Sequence, residues 1–430
     1  MSRDSVQVLV DSARVGTLFR DDKSEGDFLF GYFADTHPEL AVSLTMPVRR
    51  AQYDSMNEVH PIFEMSLPEG YLRKTLESMF AKALGTFDSL DMLALLGQSQ
   101  VGRIRYGQAG QSAEDVPEHD LTQLLACRGA EEYFDDLVQR YAKHSGVSGV
   151  QPKVLIRSAM DADSPTVTHK GATHIVKGFD PREYPELVLN EHTCMRAAKL
   201  AGLPAATTRM SENRSMLVVD RFDRAPDGTY LGFEDLCVLA ALRTSGKYTG
   251  SYEDVAATLR LFVDPSHRAS SMREFFSSLL LSCAVGNGDA HRKNFGILYD
   301  RFGVNVRLAP IYDVVCTRRY LPKDALALSL AGSKAFPDKE SLATFARTQC
   351  GMTSRQTSAA LDQVEQGVHG AIAELRAYVR SAPDARAQAE GLVQAINDSM
   401  TRIGLRPARF ATITSVTPTP ELEPSGNLHP

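Results

Sequence analysis

Alternating apolar and polar positions near the start of the chain predict a small β-sheet. Residues 6–10 alternate as one strand, and Val15 begins a second strand beyond a short turn. Runs rich in β-branched and aromatic residues at 29–33 and 40–46 predict two more strands. Large apolar residues recur at four-residue steps over 69–84, which predicts a helix with one apolar face. We therefore expect a small α/β unit at this end of the chain.

A second group of short strands surrounds one helix. Strands are predicted at 153–156 and 174–177, and a helix is predicted over 183–201. Two further strands are predicted at 207–210 and 216–219. The order of elements is therefore two strands, a helix and two strands.

The remainder of the chain has a helical pattern with one interruption. Apolar residues within 275–283 share one face of a helix that ends before an Asn-Gly pair. The runs 295–299 and 303–308 then alternate like the arms of a β-hairpin. Helices are predicted to continue to about residue 402, and the Pro-, Ser- and Thr-rich tail at 412–430 is predicted to be disordered.

Composition indicates an ordinary globular protein with two or three structural units, since 43% of its 430 residues are hydrophobic and 23% are charged. The net charge is −6, and no run of Lys or Arg is longer than a pair, which argues against direct binding to nucleic acid. The six cysteines are scattered without a Cys-x-x-Cys motif, so we expect reduced thiols. Because no apolar stretch reaches about 18 residues, we expect a cytoplasmic protein that does not enter the membrane.

Three polar residues carry the strongest chemical signal: Asp289, Asn294 and Asp313. An Asp, an Asn five residues later and a second Asp beyond a hairpin is the arrangement with which kinase folds transfer phosphate. There the first Asp accepts the proton of the acceptor hydroxyl, while the Asn and the second Asp bind Mg²⁺ through oxygen atoms. Each residue alone would be an ordinary cap or turn former, but their order together predicts a phosphotransferase.

Weaker signals lie upstream of this segment. The glycine-flanked segment 145–153 could bind phosphate oxygens through its backbone N–H groups, although such a turn before a strand is commonly only a turn. Lys177 follows where kinases place a phosphate-binding lysine, and Glu191 on the next helix is its candidate ion-pair partner. The alternatives are an edge-strand lysine and an exposed helical glutamate. The segment 220–222 could present its backbone to an adenine edge and cover the base with its phenylalanine, or it could be a strand end with paired surface charges.

Assembled in chain order, these segments resemble the HipA-like serine/threonine kinases of bacterial toxin–antitoxin systems. The matching segments are 63–70, 148–153, 190–195, 220–224, 287–295 and 309–313. The resemblance implies an α+β fold, with a kinase-like two-lobe core, a small N-terminal α/β subdomain and a mostly helical C-lobe. The domain boundaries that we expect are 1–110 for the N-terminal subdomain, 125–232 for the N-lobe, 233–411 for the C-lobe and 412–430 for the disordered tail.

The resemblance also implies ligands and partners. It implies ATP with Mg²⁺, a protein hydroxyl as acceptor, and a HipB-like helix-turn-helix antitoxin as partner, so that DNA would be contacted only through the antitoxin. The substrates known in the family are aminoacyl-tRNA synthetases. Carried over position by position, it makes Asp289 the catalytic base and assigns Mg²⁺ to Asn294 and Asp313. The nucleotide contacts that it implies are Ser148, Gly149, Val150, Gln151, Lys153, Lys177, Asp220, Arg221, Phe222, His291, Lys293 and Tyr312.

Two positions depart from the family pattern. Gly146 stands where many relatives have a serine, so autophosphorylation cannot occur there, and Ser148 becomes the first candidate acceptor with Ser145 the second. Phe233 stands where a polar nucleotide contact is usual, so nucleotide affinity is expected to differ.

Two other functions remain open at this point. One is a small-molecule kinase, which an acidic acceptor pocket would favour over an open groove. The other is a non-catalytic corepressor that binds an antitoxin, which co-purification without phosphate transfer would favour.

Overall fold

The computed structural model describes residues 4–21, 26–70, 73–74, 76–77, 80, 87–97, 100–107, 119–126, 134, 136–137, 153–158, 172–179 and 184–408. Its N-terminal unit is an antiparallel five-stranded sheet with the strand order β4-β3-β2-β1-β5. The strands are β1 (Ser5–Val10), β2 (Ala13–Arg20), β3 (Phe28–Tyr32), β4 (Tyr53–Ser55) and β5 (Ile104–Gly107), accompanied by helices α1 (Pro61–Glu64) and α2 (Ser89–Leu96). The first three predicted strands are confirmed.

The strand predicted at 40–46 is wrong. A 3₁₀ turn at Pro38–Leu40 leads into a tight turn in which Ser43 bridges to Met46. The hydroxyl of Ser43 and the backbone N–H of Leu44 both donate to the carboxylate of Glu234, at 2.7 and 2.9 Å. A distant carboxylate therefore holds a segment whose composition favours a strand. In the helix predicted over 69–84, positions 70, 73–74, 76–77 and 80 are helical, and its other positions from 71 onward lie outside the described residues.

A four-stranded antiparallel sheet with the order β6-β7-β9-β8 forms the next layer. It follows the short helix α3 (Leu121–Leu125) and consists of β6 (Lys153–Ile156), β7 (His174–Gly178), β8 (Thr208–Met210) and β9 (Met216–Asp220), with helix α4 (Leu187–Leu200) inserted after β7. All four predicted strands are confirmed. Helix α4 begins later than predicted because Glu186 adopts a left-handed conformation with φ of 56°.

The two faces of this sheet enter different cores. Met216 and Val218 pack in a core shared with the N-terminal unit, whereas Leu217 and Val219 pack in the core of the helical lobe. Alternate residues of a strand point to opposite faces, so one strand joins the two cores. The N-terminal unit is thus packed directly on the back of the sheet that carries Lys177.

The C-terminal part is built around the long helix α7. Its elements are β10 (Gly232–Asp235), α5 (Leu236–Leu239), α6 (Tyr252–Phe262), α7 (Pro265–Val285), β11 (Gly296–Tyr299), β12 (Arg307–Leu308), α8 (Lys339–Cys350), α9 (Ser354–Ser381) and α10 (Arg386–Arg402). Residues 275–285 of α7 are buried without interruption, since helices α6, α8, α9 and α10 all pack against α7.

The predicted hairpin is confirmed with a shorter second arm. Ile297 pairs with Leu308 and Leu298 with Arg307. The residues between the arms instead form a loop in which Asn305 has a φ of 60°. Within the part of the chain that the structure describes, no helix has both the length and the apolar character needed to cross a bilayer. The five described cysteines, at 194, 237, 283, 316 and 350, carry free, buried thiols.

Candidate active site

The loop after α7 places Asp289. Gly286 ends the helix in a left-handed conformation with φ of 73°. The side-chain oxygen of Asn287 accepts the N–H of Asp289 at 2.9 Å, which closes a tight turn. Gly288 lies so close to the next loop that a Cβ there would be 2.1 Å from a carboxylate oxygen of Asp324. The Asn-Gly-Asp sequence is therefore needed locally, because its members form the turn and allow the close approach.

The hairpin brings Asp313 to Asn294. A 3₁₀ turn at Arg292–Asn294 immediately precedes β11. The chain then returns through β12 to Asp313. The side-chain amide of Asn294 donates to Oδ2 of Asp313 at 3.0 Å, and its oxygen accepts the N–H of His291 at 3.0 Å. The sequence prediction that the hairpin returns Asp313 beside Asn294 is confirmed.

Lys177 connects the two lobes at this point. Its Nζ donates to Oε1 of Glu191 at 2.6 Å and to Oδ1 of Asp313 at 2.9 Å. The predicted ion pair of Lys177 with Glu191 is therefore confirmed. Burial alone would lower the pKa of Lys177, but the carboxylates of Asp313 and Glu191 hold it above its ordinary value. Burial would raise the pKa of Asp313, yet Lys177 and Lys153 hold it below its usual range.

A second lysine of the sheet lies on the same face. Lys153 pairs with Lys177 across β6 and β7, and it is 6% exposed. Burial and the neighbouring Lys177 lower the pKa of Lys153 to about 8. Two cationic amines in this position form an environment that favours an anion such as a phosphate group.

The surroundings of Asp289 raise the pKa of its carboxyl. Tyr248 donates its hydroxyl to Oδ1 of Asp289 at 2.8 Å. Burial raises the pKa of Asp289 to about 6, with Asp313 adding to the rise and the Tyr248 hydrogen bond opposing it. The carboxylate is therefore largely ionised at neutral pH yet close to the range in which general bases work best. Burial lowers the pKa of His291 to about 4, so the imidazole is neutral beside it.

Three aromatic rings form the other end of the site. Phe222 stacks on Tyr312 with ring centroids 5.3 Å apart, and Phe233 meets both rings edge-on. The side chain of Asp220 accepts a hydrogen bond from Arg209. The guanidinium of Arg221 donates to the carboxylate of Asp223. A base bound at 220–222 would therefore meet backbone and aromatic rings, because the charged side chains are already paired.

One cavity of about 700 Å³ contains these groups. Its lining includes the following predicted site residues: Lys153, Lys177, Arg221, Phe222, Asp289, His291, Lys293, Asn294, Tyr312 and Asp313. The phosphate-loop residues Ser148, Gly149, Val150 and Gln151, with Ser145 and Gly146, lie outside the described residues. The lining also includes residues for which no role is predicted from the sequence, among them Glu69, Lys247 and Tyr248. Glu69 belongs to the segment 63–70, and the resemblance of that segment to the family is the one feature of the sequence that points to Glu69.

The donor atoms suit a magnesium ion. Mg²⁺ prefers oxygen ligands and is commonly bound by one or two carboxylates together with waters and substrate phosphates. Asp313 supplies a carboxylate and Asn294 an amide oxygen, and the two side chains are in contact. In the present orientation the Asn294 oxygen faces His291, so binding a cation through that oxygen requires the amide to turn.

Comparisons with known proteins agree with this architecture. The model of the HipA N-terminal domain matches residues 6–107, and that of the HipA-like C-terminal domain matches residues 145–372. The provisionally named kinases Y4mE and Y4dM of Sinorhizobium fredii are 29% and 26% identical over 361 and 346 residues. The matches cover 78% of this chain and 83% of Y4mE, and 74% of this chain and 78% of Y4dM.

A solved structure extends the likeness to the fold. A chain of the Shewanella oneidensis MR-1 complex of HipA, HipB and operator DNA superposes with a TM-score of 0.62 at 21% identity. The match covers 93% of this chain and 98% of that one, which confirms the predicted kinase-like two-lobe fold. The family models together match most of the sequence, in the predicted order. The chain belongs to the HipA-like family.

Proposed function

We propose that this protein is an ATP-dependent protein serine/threonine kinase that requires Mg²⁺. The observation that carries the proposal is the meeting of Asp289, Asn294, Asp313 and Lys177 in one cavity, with Lys177 held by the buried Glu191. The relatives Y4mE and Y4dM bear provisional kinase names, which supports the same chemistry.

Each of these residues has a separate role in phosphate transfer. The carboxylate of Asp289 takes the proton of the acceptor hydroxyl. At the same time the hydroxyl oxygen forms a bond to the γ-phosphorus of ATP, and the bond between that phosphorus and ADP breaks. Tyr248 occupies Oδ1 of Asp289, which leaves Oδ2 for the acceptor. Lys177, held by Glu191, binds phosphate oxygens. Asp313 and Asn294 would hold Mg²⁺, which neutralises phosphate charge when bound.

The rim of the cavity favours a protein acceptor over a small molecule. Tyr184, Tyr248 and Leu321 line the cavity and are 38%, 46% and 56% exposed. Exposed apolar side chains grouped at an opening are characteristic of surfaces that bind other proteins. A small-molecule acceptor would instead call for a concave pocket that buries most of the acceptor's surface.

A toxin role is proposed from the family. The superposed Shewanella chain comes from a complex with HipB and operator DNA. We therefore propose a HipB-like antitoxin as partner, with DNA reached only through it, which agrees with the net charge of −6. A cytoplasmic acceptor protein is proposed, with aminoacyl-tRNA synthetases as the family precedent.

Autophosphorylation is proposed at Ser148, with Ser145 as second choice. A phosphate there would add about −1.5 to −2 charges where the ATP phosphates must bind, and would therefore inhibit the enzyme. Mass spectrometry of the protein expressed alone should find this phosphate, and Asp289→Asn should remove it. A phosphate-free loop in an active protein would contradict this part of the proposal.

Phosphoproteomics tests the function as a whole. Cells expressing the wild-type chain should show new Ser or Thr phosphorylation on a small set of proteins, and cells expressing Asp289→Asn should not. Identical phosphoproteomes, with both proteins folded and equally abundant, would reject kinase activity and favour the corepressor alternative.

A further inference from the structure

The N-terminal unit contributes a carboxylate to the catalytic cavity. Glu69 lies in that unit just beyond α1, and its side chain is 15% exposed. Its Oε1 accepts a hydrogen bond from Nζ of Lys293 at 2.7 Å, and its Oε2 accepts one from Nζ of Lys247 at 3.2 Å. The two lysines are separated from Glu69 by 224 and 178 positions in the sequence. One carboxylate thus binds two nearly buried amines, which are 9% and 10% exposed.

Both lysines belong to segments that fix the catalytic base. Lys247 immediately precedes Tyr248, whose hydroxyl holds Oδ1 of Asp289 at 2.8 Å. The backbone carbonyl of Lys247 accepts a hydrogen bond from the backbone N–H of Arg292. The backbone carbonyl of Thr249 accepts one from Nε of the Arg292 side chain at 2.8 Å. The segment 243–249, which we call the bridging segment, is therefore tied to the catalytic loop on both sides of Tyr248.

The other end of the bridging segment is tied to the N-terminal unit. The guanidinium of Arg243 donates to the carbonyls of Val59 and Met56 at 3.1 and 2.6 Å. The backbone N–H of Thr244 donates to the carboxylate of Glu64 at 3.1 Å. These contacts hold the segment in place. Among the described residues of the N-terminal unit, Glu69 has a hydrogen bond that reaches a neighbour of Tyr248 in the sequence.

We propose that Glu69 is a positioning residue of the phosphotransfer site: by holding Lys247 and Lys293 it keeps Tyr248 against the catalytic base, so the N-terminal unit is part of the working site. The inference rests on the proposed kinase function.

Charge explains why a carboxylate is needed at this position. Lys247 acts electrostatically on Asp289 and lowers the pKa of its carboxyl, against the larger effect of burial. Without Glu69, Lys247 would lose the carboxylate to which it donates, whereas Lys293 would keep the electrostatic attraction of Asp235. A Lys247 amine that is released from Glu69 and moves between solvent and Asp289 would compete with the acceptor hydroxyl for the same oxygen atoms. Glu69 therefore keeps the base available as well as oriented.

Glu69→Gln tests the proposal, because it removes the charge and keeps the size. The probe is a synthetic peptide copied from the most strongly phosphorylated sequence in cells that express the wild-type chain. We expect kcat to fall at least tenfold, by analogy with the roughly 10²–10⁴ that a positioned base contributes. The Kd of ATP–Mg²⁺ should stay within threefold, which separates positioning of the base from nucleotide binding.

Glu64→Gln is the matched control. It changes an acidic residue of the same unit that contacts the same bridging segment, and its amide oxygen can still accept the Thr244 N–H. Its kcat should stay within twofold of wild type. Equal losses in the two variants would show a general effect of the contact between the units and overturn the specific role of Glu69.

A second readout does not depend on activity. Acetylation of intact protein by an activated ester, followed by mass spectrometry, reports the reactivity of each lysine. Lys247 should react at least threefold faster in Glu69→Gln than in wild type, with the exposed Lys199 and Lys339 as internal references. An amine released from its carboxylate is a more accessible nucleophile, whereas an unchanged rate would contradict the contact on which the proposal rests.

The outcomes separate the two levels of the proposal. Absence of phosphate transfer by the wild-type protein would reject the kinase function, while the acetylation rates would still decide the Glu69–Lys247 contact. Normal kcat in Glu69→Gln, with faster acetylation, would reject the positioning role alone.

If Glu69→Gln lowers the melting temperature by more than about 5 °C, Lys247→Gln tests the same connection. That variant keeps its backbone bond to Arg292 and should also lose at least tenfold in kcat.

Discussion

Replacing Asp289 by asparagine should stabilise the protein while it abolishes phosphate transfer. The folded protein holds the carboxyl of Asp289 at a pKa of about 6, against an ordinary value of 3.8. Because the group binds protons more readily when folded than when unfolded, ionisation favours the unfolded state, and stability falls as pH rises between these two values. Asparagine does not ionise, and its side-chain oxygen can still accept the hydroxyl of Tyr248.

The magnitude follows from the shift in pKa. A difference of roughly two units corresponds to about 3 kcal/mol at pH 8, where the carboxyl is ionised in both states. At pH 5 the folded carboxyl is mostly protonated, and the difference falls to about half of that value. For a chain of this length, 3 kcal/mol corresponds to a change of about 3 °C in melting temperature.

Thermal melts of the nucleotide-free protein from pH 4.5 to 8 measure this effect. Subtracting the melting temperature of wild type from that of Asp289→Asn at each pH cancels the titration of the groups that both proteins share. Asp362→Asn, at an exposed position of α9, is the control and should follow wild type throughout. The reasoning is refuted if Asp289→Asn melts at or below wild type at pH 8, or if its advantage fails to shrink at acidic pH.

Three further outcomes are expected. Phosphate transfer should rise with pH through about 6 as Asp289 becomes ionised, and a rate that is flat from pH 5 to 8 in initial-velocity assays would argue against that base. Asp313→Ala should remove the magnesium-dependent part of ATP binding, and calorimetry that finds equal affinities with and without Mg²⁺ in wild type and variant would make Asp313 structural only. Gly288→Ala should lower kcat at least tenfold, since its Cβ would lie 2.1 Å from Asp324. A crystal structure with an undisturbed loop at 324–325 would contradict that explanation.

Local patterns were sufficient to predict much of the fold. Strand β9 follows from a short, continuous apolar run rich in β-branched residues, and helix α7 follows from apolar residues repeated at four-residue steps. The pairing of Lys177 with Glu191 was predictable because a charge inside an apolar strand requires a nearby partner. The segment 40–46 was mispredicted because the side chain of Glu234, far along the chain, determines its turn.

The contacts that complete the site could not be predicted in the same way. Glu69 meets Lys293 across 224 positions, and no local periodicity encodes such a contact. Tyr248 looks like any surface tyrosine until the fold places its hydroxyl on Asp289. Arg221 pairs with Asp223 in the structure, although the sequence equally allowed it to face a nucleotide. Long-range packing decides these partners, whereas the sequence indicates only which residues are chemically able to act.

The central claim is that Asp289 is the base of a protein kinase, and the rate of transfer from ATP to the acceptor peptide tests it most directly. The measurement compares wild type with Asp289→Asn at saturating ATP–Mg²⁺, with calorimetry confirming that both bind the nucleotide. We predict a loss of at least 100-fold in the variant with ATP affinity retained, since a positioned base contributes roughly 10²–10⁴. Transfer within about tenfold of wild type would contradict the assignment.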